Sequence, residues 1–265
     1  MKAWELFEQE CTTYLNNKFG KYADFKQCGG SISTESDILV TTLSGKHFYI
    51  EVKESSAQCG QFVLLPDIKS KTFKYSDKNA LALNPAAKAI INYMNNNFEL
   101  FKNAGKTGQN ITMNNASEVF AEWIIQAYFQ KNCKFFISKN FIIFPIEQCL
   151  DYFNINACYR VKRSGSSNVG KSKSKIVISY LENMCQNNNI REIIIDDTKI
   201  FVTSNTNIHN VRFIIDDTEY MFSERGDKYE IRKLSNTFNA NVIFSVTLKN
   251  NKTGLSDAEI ISLLH

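Results

Sequence analysis

The sequence predicts an α/β protein, with a mixed central sheet flanked by helices and a β-rich C-terminal half. Helix-like and strand-like segments alternate over the first 155 residues, and strand signals dominate after that point. A hydrophobic content of 43% in 265 residues is enough to form a buried core. We therefore predict a core domain over residues 1–155 and a β-rich region over residues 156–265.

The first helix is predicted over residues 3–19, because apolar residues recur there at three- and four-residue spacing and Gly20 can end the helix. Two strand-like runs joined by Ser44-Gly45-Lys46 then predict a hairpin. The predicted elements after the helix are strands over Asp37–Leu43, His47–Lys53 and Gln61–Leu65 (ended by Pro66), helices over Pro85–Lys102 and Asn115–Lys131, strands over Cys133–Ser138 and Phe141–Ile146, and a short helix over Glu147–Phe153.

The second region begins with a basic loop, predicted from Ser164 to Lys175, and a helix with Val177 and Leu181 on one face. A short internal repeat follows, in which Ile-Ile-Asp-Asp-Thr occurs at 194–198 and again at 214–218. Two copies are too few for a solenoid. The repeat instead predicts two strands that each end in an Asp-Asp-Thr turn.

Composition and charge exclude several classes of protein. The net charge of +4 permits a nucleic-acid partner, and six cations with no acid lie between residues 159 and 175. The seven cysteines show no CxxC pair and the three histidines are scattered, which disfavours a disulfide framework and a zinc hydrolase. No signal core and no run of about 20 apolar residues is present, so we expect a cytoplasmic protein without a membrane span.

The predicted hairpin carries the residues that could take part in catalysis. If its loop is centred on Gly45, Asp37 lies opposite Lys53, and Asp37, Glu51 and Lys53 project from one face because side chains alternate along a strand. Two carboxylates and a lysine are costly on an otherwise apolar hairpin. Hard oxygen ligands suit Mg²⁺, so we predict Asp37 and Glu51 as metal ligands, with Lys53 beside the reacting phosphate.

These residues, Ser36-Asp37 followed by Glu51-Val52-Lys53, resemble the PD-(D/E)XK nuclease superfamily, with Ser36 where a proline often stands. Residues 4–65 also resemble archaeal Holliday-junction resolvases, in which a helical Phe-Glu pair and a glycine–serine loop precede the hairpin. The resemblance implies a catalytic set of Asp37, Glu51, Lys53, Glu8 and Gln61, with Glu5 or Glu10 as substitutes for Glu8. It also implies a DNA contact at Ser31 in the Gly29-Gly30-Ser31 loop.

A competing motif lies in the basic loop, where Gly165–Ser172 matches the P-loop pattern GxxxxGK[ST]. We give it less weight, because the preceding segment alternates cations with apolar residues, whereas a P-loop follows a buried parallel strand. No nucleotide cofactor is therefore expected. The basic segment is instead predicted to contact the DNA backbone and bases through Arg160, Lys162, Arg163, Lys171 and Lys173.

The function that the resemblance implies is Mg²⁺-dependent hydrolysis of double-stranded DNA, leaving 5′-phosphate and 3′-hydroxyl ends. About 110 residues with a basic segment follow the predicted core, which favours a sequence-specific type II restriction endonuclease, acting as a homodimer and paired genetically with a cognate DNA methyltransferase. Three alternatives stay open: a Holliday-junction resolvase or repair nuclease, a DNA-binding protein without catalysis, and a P-loop NTPase.

Overall fold

A five-stranded mixed sheet forms the centre of the N-terminal part of the chain. The computed structural model describes residues 3–28, 36–187, 190–196 and 199–265. The strand order in the central sheet is β1-β2-β3-β7-β8, with β3 and β7 parallel and the other neighbours antiparallel. The strands of the chain are β1 (Ala23–Gln27), β2 (Ile38–Thr42), β3 (His47–Lys53), β4 (Ser56–Asp67), β5 (Thr72–Tyr75), β6 (Gln109–Asn110), β7 (Cys133–Ser138), β8 (Ile142–Pro145), β9 (Phe153–Arg163), β10 (Ser166–Asn168), β11 (Ile190–Asp196), β12 (Lys199–Ser204), β13 (Arg212–Ile215), β14 (Thr218–Arg225), β15 (Lys228–Leu234) and β16 (Phe238–Leu248).

Helices cover both faces of this central sheet, so the predicted α/β class is confirmed. The predicted helix over residues 85–102 breaks at Asn97 into two. The helices are α1 (Ala3–Phe19), α2 (Pro85–Asn96), α3 (Phe98–Phe101), α4 (Ala116–Gln130), α5 (Cys149–Tyr152), α6 (Lys171–Asn187) and α7 (Asp257–Leu264). None of the described helices is long and apolar enough to span a membrane.

The central sheet separates two apolar cores. On one side, α1 and α7 pack against buried residues that include Val40, Ile50 and Ile137. On the other side, α2 and α4 pack against residues that include Phe136 and Phe144. Because side chains alternate along a strand, the neighbours Phe136 and Ile137 of β7 enter different cores. A strand with this double burial is nearly continuous in apolar residues, which is why Cys133–Ser138 is recognisable in the sequence.

The chain divides into two units, and the division differs from the predicted one. The first unit contains residues 1–161 together with 240–265, and the second contains residues 162–239. The C-terminal residues therefore belong with the N-terminal core, although the sequence predicted a single region over 156–265. The reason is strand pairing: β16 lies between β4 and β9 in a second sheet of the first unit, ordered β5-β4-β16-β9-β6.

The second unit is built on a sheet ordered β11-β12-β15-β14-β13, with β10 paired to β15, and α6 packed against it. Val177 and Leu181 of α6 are fully buried, as the predicted apolar face requires. The repeat at 214–218 forms the predicted strand-to-turn unit, since Ile215 pairs with Thr218 across a two-residue turn. Both turn residues, Asp216 and Asp217, have positive φ, as a two-residue hairpin of this kind demands.

The strand predicted over residues 61–65 is longer than expected and runs through Pro66. Residues 56–63 of β4 pair with β16, whereas residues 64–67 pair only with β5, so Pro66 lies where β4 has a single neighbour. Proline is tolerated at such a position because fewer ladder hydrogen bonds depend on it. The pairing of β4 with β16 also shifts register at Gly60, whose φ of +95° fits a β-bulge.

Substitution of Gly60 tests how closely β4 packs against the Trp123 side chain. A Cβ added there would lie 2.7 Å from Trp123 Cζ3, whereas a Cβ added at Gly45 (φ +79°) would meet nothing within 4 Å. We expect Gly45→Ala to lower the free energy of unfolding by about 1 kcal/mol through backbone strain alone. Gly60→Ala should cost a further ~1–3 kcal/mol from the steric clash. Chemical denaturation of the two variants measures the difference, and equal losses would contradict the close approach of Trp123.

Candidate active site

The hairpin of β2 and β3 forms, but its register differs by two residues from the prediction. Leu39 pairs with Tyr49, whereas a loop centred on Gly45 would have paired it with Glu51. The loop closes between Thr42 and Lys46, whose backbones are hydrogen-bonded at 2.9 Å, so it is centred on Ser44 and Gly45 takes the left-handed position. A two-residue shift keeps every side chain on its predicted face, whereas a one-residue shift would have reversed them.

This register brings the carboxylates of Asp37 and Glu51 closer together than a loop centred on Gly45 would, since that loop makes the two residues diagonal neighbours. Carried one residue beyond the pair of Ile38 and Ile50, it places Asp37 opposite Glu51 instead of opposite Lys53. Side chains directly opposite on one face are nearest neighbours, at about 5 Å between Cβ atoms. The Asp37 carboxylate also accepts a hydrogen bond of 2.8 Å from the backbone N–H of Val52, which fixes it over β3.

Glu51 and Lys53 form a buried ion pair on the same strand. Lys53 Nζ lies 2.6 Å from Glu51 Oε1, and the two side chains are only 11% and 10% exposed. Residues two apart on a strand share a face, so this contact follows directly from the Glu-x-Lys spacing. The sequence prediction that Asp37, Glu51 and Lys53 lie together agrees with the structure.

Glu8 of α1 joins this group. Its side chain is 7% exposed and accepts a 3.3 Å hydrogen bond from Gln27 of β1. Burial raises the pKa of Glu8, the hydrogen bond from Gln27 lowers it, and the charges of Glu51 and Lys53 are near enough to act on it. Glu10 is exposed, so Glu8 is the residue of the two that faces the cluster.

Gln61, which the resemblance also implied, makes no described contact with the cluster. Gln61 is exposed on β4, where its amide oxygen accepts a 3.3 Å hydrogen bond from Gln58. It lines a cavity of about 470 Å³ together with Trp123 and Tyr128, and no described hydrogen bond joins it to the carboxylates. Ser31 lies outside the described residues.

Tyr128 is a member of the cluster that the sequence did not indicate. Its hydroxyl donates a 2.9 Å hydrogen bond to Glu51 Oε1, although Tyr128 stands 77 positions away on α4. A tyrosine within an apolar helical stripe looks like any other core residue, so the pattern alone carried no signal. The helices α1 and α4, which pack on opposite faces of the central sheet, thus each supply a polar side chain to the cluster.

The electrostatics of the cluster favour a bound cation. Burial raises the pKa of Asp37 to about 7, and the charge of Glu51 adds to the rise. Burial alone would lower the pKa of Lys53, but the attraction of Glu51 outweighs it, so the pKa is raised and Lys53 stays charged. Three carboxylates, of Glu8, Asp37 and Glu51, therefore face a single ammonium, and additional positive charge would stabilise them.

The carboxylates of the cluster suit Mg²⁺ better than a metal ion that must be coordinated entirely by protein side chains. Within the described ranges, no group of three or more His, Cys, Asp or Glu side chains is arranged to hold a metal ion. Mg²⁺ does not require one, because it keeps several waters and binds through one or two carboxylates and substrate phosphate. Asp37 and Glu51 are the residues that fit this role.

The P-loop-like segment does not form a phosphate-binding loop. Residues Ser166–Asn168, predicted as part of a loop, form β10 and pair antiparallel with β15. Arg232 of β15 fixes this strand by donating hydrogen bonds to Ser166 and Asn168. The backbone of residues 166–168 is held in a sheet, whereas a nucleotide site needs its N–H groups turned towards phosphate.

The predicted DNA-contacting cations differ in their surroundings. Arg163 is engaged within the second unit, where it forms an ion pair with Glu219 and donates a 2.7 Å hydrogen bond to the Ser235 carbonyl. Lys162, one position before it on β9, is exposed, because side chains alternate along the strand. Arg160 and Lys173 are partly exposed, and Lys171 is exposed at the start of α6.

Comparison with solved structures places these features in a known family. The chain matches an HhaI endonuclease, solved in complex with DNA at pH 6.0, with 37% identity and a TM-score of 0.79. The match covers 99% of both chains. This chain belongs to the HhaI endonuclease family. The similarity to HhaI endonuclease spans both units, and not only residues 4–65 that carried the sequence resemblance. No protein-family model and no curated protein matches the chain.

The charge repulsion in the cluster should lower the free energy of unfolding by a measurable amount. Because the pKa of Asp37 is raised when the protein folds, its ionised form destabilises the metal-free protein above pH 7, and this effect disappears below pH 4, where Asp37 is protonated in both states. We expect Asp37→Asn to raise the free energy of unfolding at pH 8 by about 2–4 kcal/mol, and by nearly nothing at pH 4. Denaturant titrations at both pH values, in EDTA, measure this.

The control is Asp24→Asn, since Asp24 is exposed on β1 of the same sheet. It should leave stability within ~0.5 kcal/mol of the unmodified chain at both pH values. A gain for Asp37→Asn that does not depend on pH would contradict the electrostatic explanation.

Proposed function

We propose that this chain is a Mg²⁺-dependent type II restriction endonuclease that hydrolyses double-stranded DNA at a specific sequence. The observation that carries the proposal is the grouping of Asp37, which is partly exposed, with the buried Glu51 and Lys53 on a central hairpin. Membership of the HhaI endonuclease family supports it, because that neighbour is an endonuclease solved with DNA. The catalytic centre would be of the PD-(D/E)XK type, and the products would carry 5′-phosphate and 3′-hydroxyl ends.

The roles of the residues follow from their chemistry. Mg²⁺, when bound, polarises a phosphate and lowers the pKa of a coordinated water. Asp37 and Glu51 would hold it, since they are the two carboxylates that face each other across the hairpin. Lys53 stays charged beside Glu51 and would offset the negative charge that develops on the scissile phosphate. Glu8 would add negative charge and orient groups at the edge of the site.

Contact with DNA would have two parts: neutralisation of backbone phosphates by cations, and recognition of base edges in the groove. Lysines supply the first through release of counterions, and arginines on a strand can reach guanine edges in the major groove. Lys162 and Arg160 of β9 and Lys171 and Lys173 of α6 are the cations proposed for this role. Cutting both strands within a sequence would use two copies of the chain, and a cognate methyltransferase would protect the host DNA.

The direct test is digestion of unmethylated phage DNA. We expect discrete bands with Mg²⁺, none with EDTA, and a loss of rate of at least about 10³-fold in Lys53→Ala and Asp37→Ala. The first variant loses the ammonium that offsets charge on the phosphate, and the second loses a carboxylate that would hold Mg²⁺. Gel electrophoresis of timed digests measures both. Lys46→Ala is the matched control, since Lys46 is an exposed lysine at the turn end of the same hairpin and should retain full activity.

Each outcome points to a different function. A smear lost in Lys53→Ala would contradict sequence specificity and leave an unspecific nuclease. Intact linear DNA together with cleavage of a four-way junction would favour a junction resolvase. Intact DNA on both substrates, with binding unaffected by any of the variants, would favour a DNA-binding protein without catalysis.

The two neighbouring cations of β9 should respond differently to substitution. Lys162→Ala is expected to leave stability unchanged and to reduce the slope of log affinity against log salt by about 0.9, the loss of one phosphate contact. Arg163→Ala is expected to lower the free energy of unfolding by ~1–3 kcal/mol, because the Ser235 carbonyl loses its hydrogen-bond donor and Glu219 keeps only Arg212 as an ion-pair partner. Fluorescence anisotropy with labelled duplex at several salt concentrations, paired with denaturation, separates the two effects. A salt slope lowered only by Arg163→Ala would reverse these assignments.

A further inference from the structure

Two hydrogen-bond donors converge on one oxygen of Glu51. Lys53 Nζ lies 2.6 Å and the Tyr128 hydroxyl 2.9 Å from Oε1. The second oxygen, Oε2, receives neither of them. Tyr128 itself is 4% exposed, and the Cys59 thiol lies 3.8 Å from its hydroxyl oxygen. The carboxylate is thus held in one orientation from two sides, by a residue of its own strand and by a residue of α4.

A neutral donor suits this position for a physical reason. A hydroxyl hydrogen bond orients a carboxylate while leaving its full negative charge, whereas a second ammonium would cancel the charge that a cation needs. Burial raises the pKa of Tyr128 well above its usual value of 10, so the hydroxyl keeps its proton. Groups that orient a metal-binding side chain in this way commonly change metal affinity by 10–100-fold when removed.

We propose that Tyr128 is a positioning residue of the candidate active site, which fixes Glu51 through Oε1 and so leaves Oε2 oriented for a divalent cation. The inference rests on the proposed function. A purely structural role makes a different prediction, because the Tyr128 ring also packs against Phe136 with centroids 5.3 Å apart. Phenylalanine would preserve that packing and remove only the hydroxyl.

The experiment is direct titration of the purified full chain with Mn²⁺, without DNA, followed by calorimetry or by the loss of the free-ion paramagnetic resonance signal. We expect Tyr128→Phe to weaken Mn²⁺ binding by about tenfold. The matched control is Tyr159→Phe, since Tyr159 is fully buried and donates a 3.0 Å hydrogen bond to the Leu64 carbonyl. It loses an equivalent buried hydroxyl and should keep the affinity of the unmodified chain.

Cleavage supplies the second readout. The Mg²⁺ concentration that gives half-maximal cleavage should rise about tenfold in Tyr128→Phe, while the rate at saturating Mg²⁺ changes less. In the Glu51→Gln background, Tyr128→Phe should weaken Mn²⁺ binding no further, because the residue acts through Glu51.

The outcomes distinguish the inference from the function on which it rests. If the unmodified chain cleaves DNA with Mg²⁺ and Tyr128→Phe matches Tyr159→Phe in both titrations, the positioning role is overturned and the proposed function stands. A further loss of affinity in the Glu51→Gln background would also overturn it. If the unmodified chain neither binds Mn²⁺ nor cleaves any DNA, the proposed function fails and the positioning role fails with it.

Discussion

The candidate site depends on the burial of an ion pair on the central strand β3. Pairing with β2 on one side and β7 on the other holds the strand on both edges, and Glu51 and Lys53 are buried within it. Such a pair contributes little net stability, because desolvation offsets most of the attraction between the charges. Asp37 beside it adds a repulsion that the fold tolerates. Because this arrangement lowers stability at the centre of the sheet, a catalytic role explains it better than a role in folding does.

The surroundings of this pair are organised to keep it fixed. The backbone N–H of Val52 holds Asp37, Gln27 holds Glu8, and Tyr128 holds Glu51. Each of these partners comes from a regular element rather than from a loop, and sites supported in this way keep their geometry more closely. The same principle operates in the second unit, where Arg232 fixes β10 and prevents the P-loop-like sequence from acting as a loop.

Much of the fold could be predicted because its signals are local. The helix over residues 3–19 and the strand over residues 133–138 follow from apolar spacing, and both occur as predicted. The division into units could not be predicted in the same way. Strand β16 returns to the first unit by pairing with β4, about 180 positions earlier in the chain, and no local pattern encodes that partner.

The sequence by itself determined which side chains share the face of the hairpin, since the alternation of a strand is local. It placed Asp37, Glu51 and Lys53 together even though the assumed register was two residues away from the observed one. Only the tertiary structure decided that Asp37 faces Glu51, that Glu8 rather than Glu10 reaches the cluster, that Tyr128 joins it, and that Arg163 is engaged by Glu219. Turn closure and helix packing fix those contacts between distant parts of the chain. The spacing of residues along the sequence predicts neither the closure of the turn nor the packing of the helices.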